Sequence, residues 1–258
     1  MQSNARQRKQ IKQFMSITSM NRATAEKFLN DNRWSLDYAL DDLYTRGTSY
    51  LNTERTYDAE LYSTFQNYAS ENGRMDTDTL IKYVTDLGYQ LEDPVTICLA
   101  QLLKVENLTA DIEEEQFLST WADLGCSNLN DMSEYMNTLD TKLHEDPVYF
   151  KTIYSYTFSI AVDGKRRQLS IDTAISYWTL LFLDHSFATK IPRTRLESWF
   201  RFLREQNDAN FVTRDTWDML FKFALKFPDD KTLLSEYSEM GAWPLIMDEY
   251  YGWIKERY

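Results

Sequence analysis

The chain has 258 residues, a formal net charge of −12 and 43% hydrophobic residues, enough to bury one large core or two smaller ones without disulfides. Its acidity disfavours nucleic-acid phosphates and favours basic protein partners, and its longest apolar runs fall far short of the ~18 residues a membrane span needs. Neither nucleic acid nor membrane is therefore expected as a partner. The opening MQSNARQRKQIK lacks an apolar signal core, and Cys98 and Cys126 sit among apolar neighbours as reduced thiols, which points to the cytoplasm or the nucleus.

With 7 glycines and 5 prolines the chain has few turns, so helix is favoured. Residues 1–46 read as three short helices. RQRKQIKQFMSI carries Ile11, Phe14, Met15 and Ile17; RATAEKFLND carries Ala25, Phe28 and Leu29; SLDYALDDLY carries Leu36, Ala39, Leu40 and Leu43 behind Ser35 as N-cap. Trp34 is the largest core candidate of this small unit. Polar residues 47–56 read as a linker. From Tyr57 to Tyr258 the helical period returns, with Asp93-Pro94, Asp146-Pro147 and Trp243-Pro244 marking helix starts. No alternating strand runs longer than a few residues, so the second domain, 57–258, is predicted all-α.

A pattern of aliphatic residue, acid or hydroxyl cap and amphipathic helix recurs at Met75, Ile112, Ile171 and Val212. The separations, 37 between the first two and 41 between the last two, resemble paired EF-hands. Calcium needs about six oxygen ligands, including an acid at loop position 1 and a glutamate at 12. Setting Met75 at position 8 puts Tyr68 and Thr79 in those places, and setting Ile112 there puts Val105 and Gln116. The expectation is EF-hand-like helix pairs lacking calcium ligands, with no metal and no other cofactor.

Catalytic machinery is equally hard to find in the sequence. His144 and His185 lie in no metal or triad spacing, His185 reading as a surface or capping residue, and no glycine-rich phosphate loop occurs. No catalytic residue is assigned. A part in transfer chemistry would be played by positioning other proteins.

The segments WADLGC (121–126), ISYWTLLF (175–182), DTWDMLFKF (215–223) and GAWPLIMDEY (241–250) together resemble the PONY (DCUN1) domain of the defective-in-cullin-neddylation family. The resemblance runs from about Tyr57 to the end, and residues 1–46 resemble the ubiquitin-associated (UBA) three-helix module that precedes it in that family. It implies a scaffold-type ligase component that binds a cullin C-terminal domain together with the conjugating enzyme and orients them for transfer of the ubiquitin-like modifier. Fixing two reactants in a near-attack geometry supplies several kcal/mol without a catalytic side chain.

The resemblance also implies sites. The family's cullin-binding Asp, Ala, Asp set falls on Asp215, Ala242 and Asp248. Its pocket for the N-terminally acetylated methionine of the conjugating enzyme falls on Leu80, Leu99, Leu102, Leu103, Ile112, Phe117, Tyr177 and Leu180. In the UBA-like module, Met20 and Leu43 are the candidates for touching ubiquitin or the modifier, although Thr18-Ser19-Met20 departs from the family's Met-Gly-aromatic loop. Independently of the family, the helical period places Trp243, Ile246, Met247, Tyr250, Tyr251, Trp253 and Ile254 on one side of the last helix. Leu245, Asp248, Gly252, Lys255 and Glu256 fall on the other, so Asp248 is expected to face solvent.

Two other readings compete. One is an EF-hand-like adaptor without a ligase role; the other is a thiol enzyme using Cys98 or Cys126.

Overall fold

The computed structural model describes residues 2–18, 20, 22–46, 56–162, 167–183, 191–206, 211–238 and 240–257. Most of the expected linker and His185 lie outside them.

Three helices, α1 (Gln2–Thr18), α2 (Arg22–Asp31) and α3 (Leu36–Arg46), enclose a small apolar cluster. Its centre is Phe14 and Phe28, whose rings stack at 6.0 Å, with Leu29 and Ala39 fully enclosed beside them. Trp34, the largest core candidate, packs against this cluster from its edge. It sits half-buried in the turn between α2 and α3, at φ 60, where its carbonyl accepts a hydrogen bond from Gln10 Nε2 at 2.5 Å. A residue committed to a left-handed turn has its side chain aimed by the turn rather than by the helix stripe.

The second domain is built from helix–strand–helix units joined in pairs. α4 (Ala59–Gln66), β1 (Arg74–Met75) and α5 (Thr77–Asp86) form one unit; α6 (Val95–Leu102), β2 (Ile112–Glu113) and α7 (Glu114–Leu124) form the next. β1 and β2 pair antiparallel with Met75 opposite Ile112. Two longer helices follow, α8 (Leu129–Glu145) and α9 (Pro147–Ala161). Then β3 (Gln168–Ser170) leads into α10 (Ile171–Trp178), which runs on as a π-helical turn over Thr179–Leu183. α11 (Arg193–Gln206), β4 (Phe211–Thr213), α12 (Arg214–Lys226), α13 (Asp230–Glu236) and α14 (Leu245–Lys255) complete the chain.

β3 and β4 pair antiparallel with Leu169, not Ile171, opposite Val212. Ile171 instead opens α10. The helices after β1, β3 and β4 start at once because a residue at the strand's end caps them: Asp76, just past β1, and Ser170 and Thr213, the last residues of β3 and β4, accept the backbone N–H of Thr79, Thr173 and Thr216 at 3.0, 3.1 and 3.1 Å. These are EF-hand-like pairs in connectivity. Among the described residues no group of three or more His, Cys, Asp or Glu is placed to hold a metal ion.

One core runs through the whole domain. Within it an aromatic stack joins α9, α10 and α12, where Trp217 lies between Tyr154 and Trp178 at 4.8 and 5.1 Å. The polar atoms of this stack pair with one another: Trp217 Nε1 donates to the Tyr154 carbonyl at 2.9 Å, Tyr154 Oη to the Trp217 carbonyl at 2.6 Å, and Trp178 Nε1 to Tyr154 Oη at 3.0 Å. Burying such rings with every donor matched gives area burial without a desolvation penalty. Among the described residues no helix is long and apolar enough to cross a membrane.

Candidate functional site

Two features of the domain leave apolar surface uncovered. The first is an apolar cavity of about 570 Å³ where α5, α6, α9 and α10 fail to close on one another. Leu80 and Val84 of α5, Leu99 and Ala100 of α6, Leu103, Ile112 of β2, Ile160 of α9, Tyr177 of α10 and Leu180 of the π-helical turn line it. α6 stops where Leu103 caps it and Lys104 enters the left-handed region at φ 56, while the Leu103 carbonyl is held by the side-chain amide of Gln116. The chain then turns, bringing Val105, Leu108 and Ala110 round the rim. Leu91 and Leu108, 44% and 56% exposed, leave apolar surface at the mouth.

Polar groups here are few: Thr77, Thr96 and Ser176, with Glu92 the one lining residue that carries a charge among the described residues. Burial raises the pKa of the Tyr177 phenol, so it stays neutral.

Six of the eight residues assigned to the acetyl-methionine pocket by resemblance are brought together in this cavity: Leu80, Leu99, Leu103, Ile112, Tyr177 and Leu180. Two are not. Leu102, one position round the helix from Leu103, is half-buried and packs against the core outside the lining. Phe117 is fully enclosed behind it, its ring 5.3 Å from Phe65 and 5.5 Å from Tyr83. Val84, Ile97, Ala100 and Ile160 also line the cavity, at helical spacing that nothing in the sequence distinguishes from ordinary core.

The second feature is the corner between α13 and α14. Gly241 makes the turn tight there: a Cβ would meet Trp243 Cδ1 at 2.9 Å and the Ser238 carbonyl oxygen at 3.0 Å, so a side chain would have to push the Trp243 ring aside. The Trp243 ring packs edge-on against Phe223 and Phe227 at 5.5 and 5.8 Å, with Lys226 Nζ 5.7 Å above it. Ala242 is left outside, exposed. Met240 and Leu245 flank it at 96% and 72% exposure, more apolar surface than a solvated turn needs.

Asp248 is not the free surface acid that periodicity implies. It is half-buried and accepts a hydrogen bond from Tyr237 Oη at 2.5 Å, and Tyr237 itself stacks on Tyr251 at 4.8 Å. Asp215, exposed in the first turn of α12, favours the positive end of that helix. It lies eight residues before Phe223, about 12 Å along the axis at 1.5 Å per residue. Ala242 and Asp248 thus share one corner, while Asp215 stands near the other end of α12. That span is within the footprint of a single protein interface.

The other candidates occupy plainer positions. Leu43 is a core residue of the N-terminal module, only 7% exposed, whereas Met20 is half-buried on its rim. Burial pushes the Cys98 thiol up to about 12 and raises that of Cys126 as well, so neither is a poised nucleophile.

Comparison with known proteins bears on the same regions. The Cullin binding family matches residues 131–253, from α8 into α14, and the UBA-like domain family matches residues 8–49. Defective in cullin neddylation protein 1 of Eremothecium gossypii is 53% identical over 255 residues, covering 99% of this chain and 98% of the relative. The protein of that name from Saccharomyces cerevisiae is 38% identical over 254 residues, covering 96% and 93%, and the one from Candida glabrata 36% identical over 263 residues, covering 96% of each. Sharing more than half its residues with such a relative over nearly its whole length, the chain belongs to the defective in cullin neddylation protein 1 family.

Proposed function

We propose that this protein takes part in cullin neddylation as a scaffold: its α13–α14 corner docks a cullin C-terminal domain, and its cavity receives the acetylated N-terminal methionine of the conjugating enzyme. One observation carries the docking half. Within the segment that matches the Cullin binding family, apolar Met240, Ala242 and Leu245 are exposed beside an Asp248 carboxylate held in place by Tyr237. An ordered acid on an apolar patch fits a partner that brings a basic side chain to an apolar surface, and a small residue at 242 lets the two approach.

For the cavity, the support is chemical. Leu, Ile and Ala side chains around about 570 Å³ suit an unbranched apolar side chain such as methionine, and an acetyl cap removes the charge the lining would otherwise have to desolvate. Orientation of two bound partners is then the whole contribution of the scaffold, and it needs no nucleophile of its own.

Ala242→Arg tests the docking half. The position is exposed, so helical circular dichroism should be unchanged, while binding to an isolated cullin C-terminal domain and stimulation of cullin modification should both be lost. Wild-type affinity in the folded variant would refute the assignment.

A further inference from the structure

Arg195, in the first turn of α11, is the one charged side chain in the domain's core among the described residues, 2% exposed. It holds three separate elements. Its Nε donates to the carbonyl of Phe227, which ends α12, at 2.8 Å; its Nη1 pairs with Asp230 Oδ1 of α13 at 2.8 Å and donates to Tyr250 Oη of α14 at 2.5 Å. Tyr250 Oη in turn donates to Ser198 Oγ, back on α11, at 2.8 Å.

A buried ion pair is a poor device for stability alone, since apolar residues of similar volume do as well or better. What it does impose is a single geometry, because each of its partners must reach the same planar guanidinium. Those partners lead straight to the docking corner. Phe227, whose carbonyl Arg195 fixes, packs its ring 5.6 Å from Tyr237, the residue that donates to Asp248. Tyr250 lies two residues beyond Asp248 on the opposite, buried face of α14. Arg195 therefore reaches Asp248 from both sides: through the segment that carries its hydrogen-bond donor and through the helix that carries the carboxylate.

We infer that Arg195 is a positioning residue for the docking surface, setting α13 against α14 so that Tyr237, Asp248 and Ala242 present one arrangement to the partner. The inference rests on the reading that this corner docks a cullin.

The test uses the full chain and two ligands, an isolated cullin C-terminal domain and an acetylated methionine peptide for the cavity, both measured well below the unfolding transition. There a merely destabilised protein is still folded and binds as wild type does. Arg195→Met should weaken the cullin domain about tenfold or more while leaving the peptide within about twofold. Tyr237→Phe, which removes only the last link, should weaken the cullin domain by about threefold or more, again without touching the peptide. Arg195→Lys keeps the charge for Asp230 but cannot hold the Phe227 carbonyl and Tyr250 Oη together, so it should fall between Arg195→Met and wild type. A folded Arg195→Met with cullin affinity within about twofold of wild type overturns the inference, and if that variant fails to fold, Arg195→Lys decides by the same criterion. Should Ala242→Arg leave cullin binding intact, the docking reading falls first and takes the inference with it.

Discussion

Acetylated and unacetylated methionine peptides differ by one charge, and on the proposed function the cavity lining decides what that charge costs. An α-ammonium placed unpaired among Leu99, Leu103 and Ile112 would lose its hydration without return, at several kcal/mol. Binding as the neutral amine is cheaper. For an α-amino pKa of about 7.8, deprotonation at pH 7 costs about 1.1 kcal/mol, and forgoing burial of the acetyl methyl costs about 0.8 kcal/mol more. Together these predict an acetylated peptide tighter by about 25-fold at pH 7. The charge part is pH-dependent with a definite sign. Below the amine pKa the unacetylated peptide should gain about tenfold in affinity per unit rise in pH, levelling above about pH 8, where only the methyl's roughly fourfold remains. The acetylated peptide should stay flat throughout. Fluorescence anisotropy with labelled peptides between pH 6 and 9 measures both curves, and Glu92→Gln checks that the rim carboxylate does not pair with the amine. Equal affinities at pH 6, or two parallel pH profiles, would refute the reasoning.

Trp217→Ala removes a fully buried ring stacked between Tyr154 and Trp178 and should cost about 3 to 5 kcal/mol in denaturant unfolding; less than about 1 kcal/mol would mean the stack is not the centre of the core. Cys98, with its thiol pushed from 9.0 up to about 12, should alkylate roughly a thousandfold more slowly at pH 8 than a free thiol, and the same shift should weaken the fold as pH climbs from about 9 toward 12. Fast labelling of the native protein would contradict it. Calcium titrated calorimetrically should give no saturable heat, because the loops before Met75 and Ile112 do not supply an acid at position 1 and a glutamate at 12.

Helix content and the paired-loop architecture were legible because they depend on local signals: aliphatic positions followed by caps at Asp76 and Thr213, and prolines at helix starts. Finer placements depend on what lies opposite. Leu169 and Ile171 alternate with equal claim to face a partner strand, and only the pairing with Val212 chooses Leu169. The cavity posed a similar limit. Leu99, Leu102, Leu103 and Phe117 have the same helical spacing whether the space beside them is filled or empty, and that is settled by how the helices cross. Tyr237 and Asp248 are eleven residues apart in separate elements, so no periodicity joins them. Arg195 in IPRTRLESWF likewise reads as one more basic residue on a charged helix; its burial comes from Asp230 and Tyr250 far along the chain.

On the proposed reading, a scaffold accelerates transfer only if its two sites keep a fixed relation, since a loose tether supplies only millimolar effective concentration while orientation supplies far more. The domain has a physical means of keeping that relation. Ile160 of α9 and Tyr177 of α10 line the cavity, and on the same two helices Tyr154 and Trp178 clasp Trp217 of α12. From Trp217, α12 runs six residues to Phe223, which packs on Trp243 and Tyr250 at the docking corner. Every step of that path is ring against ring or helix, with no long loop interposed. A core so packed has few alternative arrangements to adopt, so a partner in the cavity and a partner at the corner would be held at one separation and one angle. Softening the path at Trp217, with each site left intact, should therefore lower the rate of transfer more than it lowers either affinity.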